Sequence, residues 1–290
     1  MKVLVMGGTR FFGIPMIEKL LQDGQEVTIA TRSNHADLFG SRVRYLQMDR
    51  CNPDTVQKTL HGQHFDVIID KIAYSSNDIR YLLDHASCER YLCMSSASVY
   101  DPLHINTMES DFDPAQTKLI WGNRSDFSYN EGKRQMECAI LQYRHLCDAA
   151  FIRYPFVIGP NDYTKRLAFY VEHVVTAVPM YIDHADNRLS FIQETEAGTF
   201  FAHLLLHPLS GAINGCSHGT VSIREILTYL ESKTGKKALL SQNGEPAPYN
   251  GAESYTLNTD KAESCGYHFS DLDTWIFSLL DYILAQYISL

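Results

Sequence analysis

The sequence predicts an α/β fold: a doubly wound parallel sheet with a smaller, interleaved C-terminal lobe. Three observations carry this. A short apolar run, Lys2–Met6, stops at Gly7-Gly8 and is followed by helical spacing. Strand-like and helix-like segments then alternate as far as Tyr154, the pattern of a parallel sheet covered by helices on both faces. After Gly159-Pro160 the regularity loosens, yet no repeat or low-complexity linker separates the two parts.

Each element has its own signal. Pro15–Gln22 places Met16, Ile17, Leu20 and Leu21 on one face and turns Glu18 and Lys19 away from it. Gly24 ends that helix, and Glu26–Thr31 reads as the second strand, closing a βαβ unit within about 30 residues. Val43–Gln47 is a strand, Pro53–Leu60 a helix and Phe65–Asp70 a strand. Asn77–Ala86 is a helix and Arg90–Ser95 a strand; Tyr129–Cys147 is a longer helix, with Ala150–Tyr154 a strand after it. Ser222 caps a helix running to Thr234, with Glu225 completing a capping box. Leu272–Ile288 is a strongly apolar terminal helix. The expected division is a Rossmann-type domain over 1–160, to which 189–215 returns, and a substrate lobe made of 161–188 and 216–290.

Composition excludes several classes. The chain has 290 residues with 45% hydrophobic and 20% charged side chains, a soluble globule and not a disordered segment. A chain of this size buries roughly 75% of its extended surface and needs no staples. Its net charge of −9 argues against a general polyanion binder. The seven cysteines are odd in number and include no Cys-x-x-Cys, which points to reduced, mostly buried thiols in a cytoplasmic protein. No apolar stretch approaches the ~18 residues of a membrane span, and the N-terminal apolar run is too short for a signal-peptide core.

Gly7-Gly8-Thr9-Arg10-Phe11-Phe12-Gly13 lies between the first strand and the first helix. There, backbone N–H groups and the helix dipole favour a pyrophosphate. Arg10 stands where a middle glycine would normally admit the phosphate, and reads as a cation beside it. Enzymes selecting NAD usually end strand two on an acidic residue that holds the adenosine ribose. This chain has Thr31 and Arg32 there, with a guanidinium available for a 2′-phosphate, so NADP is slightly favoured over NAD. Asp49, after strand three, is a candidate partner for the adenine amino group.

The strand Tyr91–Met94 runs into Ser95-Ser96-Ala97-Ser98-Val99-Tyr100, and Tyr129-Asn130-Glu131-Gly132-Lys133 follows. Tyr-x-x-x-Lys on a helix sets both side chains on one face. A nearby ammonium is expected to lower the tyrosine pKa from about 10, making Tyr129 a general base or acid with Ser96 holding the substrate oxygen.

On these motifs the chain resembles the extended short-chain dehydrogenase/reductase superfamily, in its sugar-nucleotide epimerase/dehydratase branch. The likeness extends through Arg153-Tyr-Pro-Phe-Val-Ile-Gly-Pro160, Val221–Glu225 and Asn258–Ala262. It implies Ser96, Tyr129 and Lys133 as catalytic residues. It also implies cofactor contacts from Gly7, Thr9, Arg10, Phe11, Phe12, Gly13, Thr31, Arg32, Asp49, Arg50, Ile72, Ala73, Tyr129, Lys133 and Pro155. Ser96, Tyr100 and Arg188 would bind substrate, Arg188 near the arginine that holds a sugar nucleotide's pyrophosphate. No metal is implied.

The glycine turn looks like that of an atypical subgroup containing chloroplast stem-loop-binding proteins. Phe156 and Thr195 stand where epimerases often carry Asn and Asp, which counts against a standard UDP-sugar. The expected activity is NAD(P)-dependent oxidoreduction or epimerisation of a sugar nucleotide or related hydroxylated metabolite. The alternatives are a nucleic-acid-binding protein, through a local strip of Arg42, Arg44 and Arg50, or a cofactor sensor without turnover. A homodimer through 77–86 and the Tyr129 helix is expected, on the apolar residues Met136, Ile140, Leu141 and Tyr143 around that helix. His203 and His207, one turn apart on an apolar helix, lack the Glu of a zinc hydrolase.

Overall fold

The computed structural model describes residues 1–32, 36–143 and 148–288. The strands of its main sheet are β1 (Lys2–Met6), β2 (Glu26–Thr31), β3 (Arg44–Gln47), β4 (Gln63–Asp70), β5 (Ala86–Ser96), β6 (Asp148–Tyr154) and β7 (Gly211–Asn214). Among the described residues they form one parallel sheet in the order β7-β6-β5-β4-β1-β2-β3. Chain order reverses between β1 and β4, so their C-terminal ends flank the crevice where such sheets bind ligands. Met6 lies opposite Asp70 there, which brings Gly7 and Lys71 side by side.

Helices α1 (Gly13–Gln22), α2 (Pro53–Leu60), α3 (Ser76–Leu83) and α4 (Tyr129–Tyr143) cover the sheet. Met16, Ile17 and Leu20 of α1 are buried on one face, together with Phe200, Phe201 and Leu204 of a helix over Glu194–Leu206. Val56, Leu60, Ile79, Leu82, Met136 and Ile140 fill the other. A separate apolar cluster, with Leu167, Val171, Ile226, Leu230, Ile276 and Leu280, forms the core of the C-terminal lobe.

The differences from the sequence reading have local causes. The helix expected over 77–86 ends at Leu83, because Ala86 and Cys88 are buried and Ser87 and Glu89 exposed, the alternation of a strand. Strand β5 is correspondingly longer at its start. The terminal helix begins at Ile276 after a single 3₁₀ turn at Leu272–Thr274. Ser222 does cap its helix, its hydroxyl accepting from the Glu225 amide while Glu225 reaches back to the Ser222 amide. Residues 144–147 of the expected long helix lie outside the described residues.

Two surface readings lose part of their support. Met136 and Ile140 are buried in the chain's own core, so they offer no spare apolar face for a dimer; the side chain of Tyr143 lies outside what is described. Of the basic strip, Arg42 meets Glu18 at 2.7 Å and Arg50 is buried against Asp70 and Asp78, while Arg44 is exposed. Of the six described cysteines, Cys51 is exposed, Cys265 half-buried and the other four buried. No helix among the described residues is long and apolar enough to cross a membrane.

Candidate active site

The glycine turn is closed by backbone contact. A Cβ on Gly13 would stand 2.6 Å from both Cα and O of Gly8, so any larger residue would force the turn open. The turn leads directly into α1, whose Gly13 and Ile14 amides donate to the Arg10 and Phe11 carbonyls of the turn at 3.1 and 2.9 Å. A cleft of about 320 Å³ opens on it, lined by Gly7, Gly8, Thr9, Arg10, Thr31, Arg32, Asp49, Arg50 and Ile72 among others. Of the residues expected to hold a cofactor, these therefore do come together. Gly13 shapes the turn without lining the space, and the described lining carries one carboxylate, Asp49, against five cations. Arg50 contributes no free charge: its guanidinium is 5% exposed and held by Asp70 and Asp78, which keep its pKa raised despite burial.

A second space of about 820 Å³ contains Phe11, Phe12, Ser96, Tyr129, Pro155, Phe156, Arg166 and Tyr249. Lys71, Ile72, Tyr74 and Tyr163 line both spaces, so the two are adjoining lobes of one cleft. This second lobe is rich in aromatic rings, Phe11, Phe12, Tyr129, Phe156, Tyr163 and Tyr249 among them. The Arg166 guanidinium lies 5.3 Å from the Phe156 ring centroid and 6.0 Å from that of Tyr249.

Helix α4 delivers the tyrosine. The Ser128 hydroxyl accepts from the Glu131 amide at its start, and Gly132 lets the Tyr74 backbone approach closely. A Cβ on Gly132 would meet the Tyr74 carbonyl oxygen at 2.4 Å. About half of Tyr129 is open to the cleft (49% exposed). Burial around its phenol nevertheless raises the pKa, partly offset by hydrogen bonding with the Ser96 side chain and by the Arg166 charge.

The expected lowering by lysine is not found. Lys133 is almost wholly buried and donates to the carbonyls of Ala73 at 2.8 Å and Met94 at 2.9 Å. Its ammonium lies 4.5 Å over the Tyr74 ring, where burial raises the phenol's pKa and the ammonium favours the phenolate, offsetting part of that rise. Ala73 thus acts through its carbonyl on Lys133.

Two expected substrate residues lie elsewhere. Tyr100 is buried, donates to Asn214 at 2.6 Å and accepts from Arg153 at 2.9 Å; burial pushes its pKa up to about 12. It belongs to a network beneath the site, in which Arg153 and Glu137, both fully buried, pair at 2.6 Å and Ser95 also bonds Glu137. Arg188 sits in a separate groove, where it donates to the Thr220 hydroxyl and carbonyl at 2.9 Å each and pairs with Glu225 at 3.3 Å. Register explains this: Arg188 lies opposite Ser222, the residue that Glu225 caps. His203 stacks on His207 at 4.1 Å and bonds the Cys265 carbonyl.

Sequence reasoning missed Lys71, Tyr74, Arg124, Tyr163 and Arg166. None of them sits in a spacing pattern, and the place of Lys71 at the reversal of strand order shows only in the fold.

Residues 3–188 match the model of the NAD dependent epimerase/dehydratase family. The chain belongs to that family. It is 26% identical over 204 residues to the chloroplast stem-loop binding protein of 41 kDa b of Arabidopsis thaliana, matching 65% of the chain and 50% of that protein. The chain therefore spans about half the length of this curated relative. Among solved structures it resembles the UDP-glucose 4-epimerase of Thermotoga maritima with UDP-glucose (TM-score 0.77, 13% identity, 99% of each chain). It also resembles the dTDP-glucose 4,6-dehydratase of Streptomyces venezuelae with NAD bound (TM-score 0.75, 18% identity, 97% of this chain and 96% of that one). At these identities the likeness is one of fold.

Proposed function

We propose that this chain is an NAD(P)-dependent oxidoreductase or epimerase acting on a hydroxylated metabolite, a sugar nucleotide or a related compound. The observation that carries the reading is that the glycine-turn lobe and the lobe holding Tyr129 and Ser96 share the wall made by Lys71, Ile72, Tyr74 and Tyr163. The closed turn at Gly8 and Gly13 and the α1 N-terminus suit a dinucleotide, with Thr9, Arg10, Thr31, Arg32 and Asp49 around it and Pro155 beside its nicotinamide end. When bound, that ring supplies hydride acceptance and donation. Tyr129 exchanges a proton with the substrate oxygen, and Ser96 positions the same oxygen. Because burial favours the neutral phenol, Tyr129 is set to donate in the resting site. Lys133 anchors α4 to the ends of β5 and of the loop after β4.

Absence of a carboxylate at Thr31, with Arg32 beside it, supports use of NADP at least as readily as NAD. A nucleic-acid role, as the name of the Arabidopsis relative suggests, is opposed by the −9 charge and by the pairing of Arg42 and Arg50. The test is conversion of hydroxylated compounds, UDP-glucose and dTDP-glucose included, with either cofactor. Any compound the chain converts should be converted two to four decades more slowly by Tyr129→Phe, about the usual loss of a general acid or base. Unchanged turnover in that variant would remove Tyr129 from the chemistry.

A further inference from the structure

Lys71 is the first residue after β4, beside Gly7 at the reversal of strand order. Its side chain is 8% exposed and lines both lobes of the cleft. Its Nζ donates to the Arg10 carbonyl at 2.9 Å and lies 4.3 Å from the Phe12 ring centroid. An ammonium has three donors, and no other hydrogen-bond partner and no carboxylate pairs with this one among the described residues. Asp70 next to it is taken by Arg50, the Tyr91 hydroxyl and the Ile72 amide.

The other cations of the cofactor lobe differ. Arg10 and Arg32 are exposed, while Arg50 and Arg124 pair with Asp78. Asp49, Cys51, Tyr74 and Tyr163 complete the titratable groups lining that lobe. A buried cation without a counter-ion is costly unless an anion arrives.

We propose that Lys71 is the counter-cation for a diphosphate bound at the glycine turn, exchanging the Arg10 carbonyl for phosphate oxygen as the dinucleotide enters. This deepens the cofactor reading and rests on it. It follows that binding is coupled to proton uptake. Burial pushes the Lys71 pKa down to about 8 in the free protein, and a phosphate beside the ammonium raises it again.

The test is calorimetric titration of NAD, ADP, adenosine and UDP-glucose at pH 8, in two buffers of different ionisation enthalpy. NAD and ADP should bind with uptake of about half a proton, as expected for a group half-charged at its own pKa of about 8; adenosine should show none. Lys71→Met should weaken NAD about ten- to hundredfold and abolish the uptake, leaving adenosine unchanged. Lys71→Arg keeps the charge and the fold, so it should bind NAD without proton uptake.

NAD binding with equal affinity to Lys71→Met and the parent, or without proton uptake, overturns the assignment. Uptake on binding UDP-glucose alone would move the ammonium to the substrate and also overturn it. Failure of NAD and NADP to bind the parent chain at all would instead refute the cofactor reading beneath it.

Discussion

Replacing Lys71 by methionine should stabilise the ligand-free protein. The change keeps most of the aliphatic stem, which packs on Gly7, and removes an ammonium that burial disfavours. Its pKa falls from 10.5 to about 8, a shift worth about 3 kcal/mol at about 1.4 kcal/mol per unit. The folded state binds fewer protons than the unfolded one between these two values, so parental stability rises with pH through that window. The penalty is complete below about pH 8 and is relieved toward pH 10.5. Lys71→Met should therefore exceed the parent by about 3 kcal/mol at pH 7 and by about 1 kcal/mol at pH 10. Urea unfolding at both pH values measures this, read as midpoint shifts at constant slope. A variant less stable than the parent at pH 7, or an advantage independent of pH, would refute the reasoning. Stability given up at a ligand site is a familiar trade.

Other outcomes follow from the same geometry. Gly13→Ala should destabilise the fold by about 1–3 kcal/mol through overlap with Gly8, and dinucleotide affinity should fall with it; circular dichroism melts and calorimetry report the two effects. Glu137→Ala leaves the Arg153 guanidinium buried and unpaired, and should cost about 3–5 kcal/mol in denaturant unfolding. Arg32→Ala should lower NADP affinity about tenfold or more while changing NAD little; an unchanged ratio in paired titrations would clear Arg32 of the 2′-phosphate.

The sheet was legible because its signals are local. Lys2–Met6 stops at two glycines, α1 keeps its apolar face on Met16, Ile17 and Leu20, and Ser222 with Glu225 spells a cap. The glycine turn and the pairing of Ser96 with Tyr129 were legible for a similar reason, since each follows from its place after a strand or at a helix start. Side-chain destinations were not. Tyr-x-x-x-Lys fixes a shared helix face, yet Lys133 has carbonyls from two other segments within reach, and at Tyr129 burial outweighs the lowering that comes from Ser96 and Arg166. Arg50, Tyr100 and Arg188 matched by position while their partners Asp70, Asn214 and Thr220 came from distant parts of the chain. Lys71 is the reverse case. A single lysine in an apolar context carries no spacing pattern, and only the neighbouring ends of β1 and β4 show that it faces the cleft.

The central claim is that the cleft over the glycine turn is a dinucleotide site joined to a Tyr129–Ser96 centre. Calorimetric titration of NAD and of NADP into the parent chain tests it most directly. The account predicts saturable one-site binding of at least one of them, and its loss in Gly13→Ala under conditions where that variant remains folded. No saturable binding of either to the folded parent chain, or binding that Gly13→Ala leaves intact, would contradict it.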